Sequence, residues 1–116
     1  SASTADYDLA LIYLDATTIA APSNAEALPL YASQLNPASG TNITVLGYGK
    51  TDQEAYASVL QTGEEHYMIQ SVCRELMEWW TPDLTPRMFC MRSHVFDTAV
   101  CMGDSGSPVM VEDDDG

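Results

Sequence analysis

The stretch CMGDSGSPVM, residues 101–110, restricts the backbone more than any other part of the chain. Gly, Asp, Ser and Pro each favour tight turns, and here they crowd between apolar neighbours. An ordinary loop satisfies that composition. So does a nucleophile held on a strained bend, where Gly106 allows backbone angles that other residues resist. The choice depends on what the remaining residues build around the bend.

They read mainly as short strands. Residues 6–14, DYDLALIYL, are rich in branched and aromatic side chains and predict a buried strand. Residues 15–40 carry Pro22, Pro29 and Pro37 among small and polar residues, which fits an extended connector and not a helix. Strand chemistry returns in NITVLGYG, 42–49, which ends on a Gly-Tyr-Gly bend, and a weaker alternation covers 58–68. The stretch SVCRELMEWW, 71–80, is helical. Ser71 fits its N-cap, Val72, Leu76 and Trp79 or Trp80 fall near one face, and Pro82 stops it. Packing against the barrel is the commoner fate of the two tryptophans, and substrate contact is the alternative. RMFCM and SPVMVE supply further strands, with His94 in the loop between them. Many short strands with a single helix predict an all-β barrel. The terminal EDDDG reads as a turn without its returning strand, so the chain is expected to stop within a hairpin.

The 116 residues, 46% of them hydrophobic, suit one globular domain and not a disordered chain. Seventeen acidic against four basic side chains give a net charge of −13. Such a surface repels phosphate, which argues against nucleic acid and anionic membranes as partners. No apolar run approaches a membrane span, and no basic-then-apolar leader opens the chain. Three cysteines, Cys73, Cys90 and Cys101, make an odd count that points to a partner elsewhere in a secreted protein. Metal binding is disfavoured because no two cysteines stand at Cys-x-x-Cys spacing and His66 and His94 form no paired motif. The acidic run 112–115 lacks the alternating ligands of a calcium loop and reads as a solvated turn. Neither a metal nor another cofactor is expected. The sequon Asn42-Ile43-Thr44 agrees with secretion to an extracellular compartment.

Four segments together resemble the chymotrypsin-like (trypsin-like) serine endopeptidases. CMGDSGSP is similar to that family's Cys-x-Gly-Asp-Ser-Gly-Gly-Pro nucleophile motif, and DYDLALIYL to its Asp-Ile-Ala-Leu-Leu strand. LGYGKT looks like its Gly-Trp-Gly-x-Thr bend, and RMFC like the segment that closes its loop disulfide. The segments occur in the family's order and near its spacings, so the resemblance spans nearly the whole chain. It implies a double β-barrel fold. Residues 1–14 would be the final strand of the first barrel, 15–40 the inter-barrel connector, and 41–116 an incomplete second barrel without its last strands and C-terminal helix.

The resemblance also assigns roles. Ser105 would be the nucleophile, and the N–H groups of Gly103 and Ser105 would form the oxyanion hole. Asp8 would be the buried acid that holds and charges the catalytic imidazole. Asp104 would pair with the N-terminal ammonium that activating cleavage creates. Ala99, six positions before the nucleophile, would floor the specificity pocket and favour apolar side chains, although Asp97 lies near enough to supply a charge if the loop shifts. Cys73 and Cys90 match the loop-closing pair, and Cys101 matches a cysteine whose partner lies further along the family's chain. Ile43 and Val111 stand where a further cysteine pair would be, and both cysteines are missing together. Ser107 replaces the commoner Gly and Tyr48 the commoner Trp. The catalytic histidine precedes the acid in this family, and only seven residues precede Asp8. Neither His66 nor His94 occupies its position, so the chain carries two thirds of a triad.

The expected function is therefore that of a serine endopeptidase acting on proteins or peptides, with protein inhibitors as further partners. The rival is a catalytically inactive homologue that binds or regulates other proteins. A third reading, an unrelated acidic β-domain, has to treat four ordered motifs as coincidence.

Overall fold

A computed structural model describes residues 6–15, 23–31, 36–77, 84–93 and 98–112. Its elements are β1 (Asn42–Gly47), β2 (Gln61–Met68), α1 (Gln70–Met77), β3 (Cys90–Arg92) and β4 (Val109–Val111). The strands form one antiparallel sheet in the order β3-β2-β1-β4. Two bonds prolong the central pairing past β1: Tyr67 N–H to Thr41 O at 2.9 Å, and Gly40 N–H to Tyr67 O at 2.8 Å.

The period of two in β1 decides which face is covered. Ile43, Val45 and Gly47 are buried, while Asn42 is exposed and Thr44 and Leu46 are half-buried. Ile43, Val45 and Tyr67 form the core, with Met91 and Val111 packed against it. The architecture is all-β with one short helix among the described residues, as expected of a chymotrypsin-like fold. Among the described residues the strands form an open sheet and not a closed barrel.

Several expectations need correction. Residues 8–14 form no ladder here, and Leu9, Leu11, Ile12, Tyr13 and Leu14 are all exposed. A strand is buried only against a partner sheet, and the described residues supply none for this one. The second strand starts at Gln61 and not at 58. The helix begins at Gln70, one residue ahead of Ser71, and Ile69 O accepts the first bond, from Cys73 N–H at 3.0 Å. Val72 and Leu76 are exposed, and Cys73 is the buried residue of α1. Trp79, Trp80, His94, Asp97 and residues 113–116 lie outside the described residues.

A disulfide joins Cys73 to Cys90, with Cα atoms 6.0 Å apart, and ties α1 to β3. Cys101 is an exposed free thiol. Where the resemblance expects a further cysteine pair, β1 and β4 set Ile43 directly opposite Val111. An apolar cross-strand pair occupies the place of the covalent link, and Ile43 is only 1% exposed.

Candidate active site

Two consecutive turns build the segment that carries Ser105. Asp104 N–H donates to Cys101 O at 3.1 Å, and Ser107 N–H donates to Asp104 O at 3.0 Å. Each turn has glycine at its third position, Gly103 with φ +97° and Gly106 with φ +86°. That is the requirement of a type II turn, where other residues are strained. Ser105 stands at the outer corner of the second turn, exposed. The alternation of glycine with Asp104 and Ser105 is thus a pair of bends that presents a hydroxyl outward.

Gly103 is restricted twice. Besides its positive φ, a Cβ there would lie 3.0 Å from the Tyr56 ring and 3.1 Å from Gly49 Cα. At Gly106 a Cβ would meet open space, so only the backbone angle demands glycine.

The turns are fastened from beneath by Asp104. Its Oδ1 accepts from Gly49 N–H at 2.8 Å, and its Oδ2 accepts from Cys101 N–H at 2.9 Å. A Cβ at either Gly47 or Gly49 would overlap that carboxylate, which explains both glycines of the Gly-Tyr-Gly bend. A backbone bond from Lys50 N–H to Met102 O, 2.8 Å long, completes the contact between the two loops. The bend was legible in the sequence; its partner was not, because Gly49 and Asp104 are 55 residues apart. Tyr56, packed over Gly103, carried no sequence signal at all.

Ala99 and Asp104, which the resemblance gives to different tasks, line one cavity of about 540 Å³. Gly49, Lys50, Gln61 and Thr98 share its wall. Ala99 is exposed and Asp104 half-buried. Asp8 is exposed in the N-terminal segment, and no hydrogen bond or ion pair among the described residues joins it to the Ser105 turns. His66 sits in β2 between Asn42 and Arg92 of its neighbours, away from those turns. Among the described residues no cluster of His, Cys, Asp or Glu could hold a metal ion. No described helix is long and apolar enough to cross a membrane.

A serine on paired glycine turns, braced by the preceding aspartate, has the form that the motif resemblance to the serine endopeptidases leads one to expect. Comparison with known proteins gives the family. The sequence model described as Trypsin matches residues 1–115, and the chain belongs to that family. It is 32% identical over 114 residues to the suppressor of tumorigenicity 14 protein homolog of Bos taurus, covering 97% of this chain and 13% of that protein. It is 32% identical over 105 residues to human granzyme M, covering 89% of this chain and 40% of the relative. Fibrinolytic enzyme, isozyme C, of Lumbricus rubellus is 29% identical over 116 residues, with 97% and 48% covered. The chain spans less than half the length of each of these relatives.

Proposed function

We propose that this chain is the C-terminal part of a secreted serine endopeptidase, in which Ser105 forms an acyl-enzyme with the substrate carbonyl. The observation that carries the reading is the braced double turn. Ser105 stands at an exposed corner of the second turn, two residues after Gly103 in the first, which supports reading their N–H groups as the oxyanion hole. In this reading the serine hydroxyl attacks the scissile carbonyl, and its proton passes to an imidazole supplied by the preceding half of the protein. The two N–H groups receive the negative charge that develops on the carbonyl oxygen, each contributing about 3 kcal/mol. Asp8 orients and charges the imidazole.

Asp104 takes part in activation. In this reading its carboxylate, held at present by the N–H groups of Gly49 and Cys101, pairs with the N-terminal ammonium that activating cleavage creates. Ala99 gives the substrate pocket a neutral floor and a preference for apolar side chains. Proteins are the substrates, in keeping with the similarity to a fibrinolytic enzyme, and protein inhibitors are further partners.

A fluorophosphonate probe on the complete, activated protein tests the proposal. Ser105 is expected to be labelled, and Ser105→Ala to abolish labelling. The present chain alone is expected to remain unlabelled, because no base takes the serine proton. An unlabelled complete protein would instead support the inactive, partner-binding homologue.

A further inference from the structure

We propose that Arg87 is a positioning residue that sets the backbone presenting Asp8, acting through Asp6 and Tyr7. The inference rests on the reading of Asp8 as the acid of the triad. Arg87 grips the N-terminal segment at two points. Its Nε donates to Asp6 Oδ1 at 2.8 Å, and its Nη2 pairs with Asp6 Oδ2. Its guanidinium carbon also lies 4.0 Å from the centroid of the Tyr7 ring. Thr85 Oγ1 adds a donor to Asp6 Oδ1 at 3.0 Å. These groups come from segments about eighty residues apart in sequence, at separations of 79 and 81.

Tyr7 is held in a conformation that a free chain avoids. Its φ is +60°, in the left-handed region that bulky residues rarely occupy. Leu9 N–H donates to Tyr7 O at 2.8 Å, which closes a three-residue turn with Asp8 at its centre. Asp8 therefore leaves a corner whose first residue is fixed between a bidentate ion pair and a cation–π contact. Beyond that corner Leu9, Leu11, Ile12, Tyr13 and Leu14 are exposed, and the clamp ties this segment to the loop that leads into β3. The hydrogen bond from Arg87 holds the Asp6 carboxyl below the usual carboxylate range, and Asp6 in turn raises the guanidinium, so both groups stay charged.

The clamp is itself anchored. Met88 N–H donates to Thr85 O at 3.1 Å, closing the turn that carries Arg87. The side-chain amide of Gln70, the first residue of α1, donates to Thr85 O at 2.6 Å and to Met88 O at 3.2 Å. The Cys73–Cys90 disulfide closes the same loop. A continuous path therefore runs from α1 through Arg87 to Asp8. Lysine would replace arginine in it only in part, because a point charge does not span both carboxylate oxygens with the plane that stacks on Tyr7.

The test uses the complete activated enzyme. Arg87→Ala is expected to lower kcat about 10-fold with KM unchanged, since a displaced catalytic group impairs the chemical step and not ground-state binding. The acid limb of kcat/KM is expected to move to lower pH, because an imidazole whose acid has drifted holds its proton less well. Arg87→Lys should fall between wild type and Arg87→Ala, and Asp6→Asn supplies the same readout if Arg87→Ala does not fold. Unchanged kcat and acid limb in these variants overturn the proposal. So does a fall in kcat with the acid limb unmoved, which marks a general loss of structure. Asp8→Asn separates the two levels. If it abolishes activity while the Arg87 variants behave as wild type, only the positioning role fails. If Asp8→Asn is fully active, the assignment of Asp8 fails and the positioning role falls with it.

Discussion

Gly49 donates its main-chain N–H to Asp104 Oδ1 at 2.8 Å, and a Cβ on Gly49 would overlap the carboxylate that accepts it. The two residues are therefore fitted to each other. The glycine gives close approach, and the aspartate converts that approach into an anchor for the Ser105 turns.

Replacing Asp104 by Ala is expected to leave the N–H groups of Gly49 and Cys101 without their acceptors, at a cost of about 1–3 kcal/mol. Gly49→Ala should displace the carboxylate and produce a similar loss through a different atom. Denaturant midpoints of the complete protein measure both, and fluorophosphonate labelling reports whether Ser105 keeps its geometry. Labelling at the wild-type rate in Asp104→Ala would show that the turns hold without their anchor.

The Cys73–Cys90 disulfide joins residues 17 positions apart in sequence. Restricting the unfolded chain in this way contributes about 3 kcal/mol on the chain-entropy model. A Cys73→Ser, Cys90→Ser variant should lose roughly that much stability, read from urea unfolding under non-reducing conditions. A non-reducing peptide map should show Cys101 linked to neither of the pair. A map joining Cys101 to Cys73 or Cys90 would contradict the pairing and the alignment with the family.

Glu65 is 4% exposed, on the inward face of β2 opposite Ile43. Burial pushes its carboxyl above the ordinary carboxylate range, with His66 opposing the shift in part. A carboxyl raised in the folded state contributes stability below its unfolded value, and that contribution is lost as pH rises through the folded one. Glu65→Gln should therefore match wild type in acid and exceed it at neutral pH by about 1 kcal/mol, the lower range for burying a poorly compensated polar group. Thermal melts from pH 4 to 8 check the divergence. A neutral-pH loss on substitution would mean that the carboxylate has a stabilising partner.

The sequence disclosed motif and order better than contact. The Gly-Asp-Ser-Gly bend, the Gly-Tyr-Gly bend, the central strands and the Cys73–Cys90 pairing were legible because each is written in local residues or in a family motif. The exposure of residues 8–14 was not, because burial depends on a neighbouring sheet and not on the branched side chains of the segment. Glu65 on an inward face reversed the ordinary pattern of β2, so the alternation there looked weak. The clamp of Arg87 on Asp6 and Tyr7 joins segments about eighty residues apart, with no periodicity to announce it. Cross-strand pairing of Ile43 with Val111 falls between these cases: the missing cysteines were visible, and the register that makes them neighbours was not.

In the proposed reading, the specificity of the complete protein follows from Ala99. The residue six positions before the nucleophile floors the substrate pocket in the proposed reading, and here it carries a methyl group. An arginine substrate side chain would enter such a pocket without a countercharge, and an unpaired buried cation costs several kcal/mol. Asp52 and Asp104 also line this cavity; Asp104 is committed to the N–H groups of Gly49 and Cys101 and, in the proposed reading, to the N-terminal ammonium. Cleavage after Phe, Tyr, Leu or Met should therefore be preferred, with small residues next. Ala99→Asp should invert the preference toward Arg and Lys, as a fixed negative floor selects cations. Matched peptides that differ only at the residue before the cut give the specificity constants. A wild-type constant higher for Arg than for Leu would place the pocket floor at another residue.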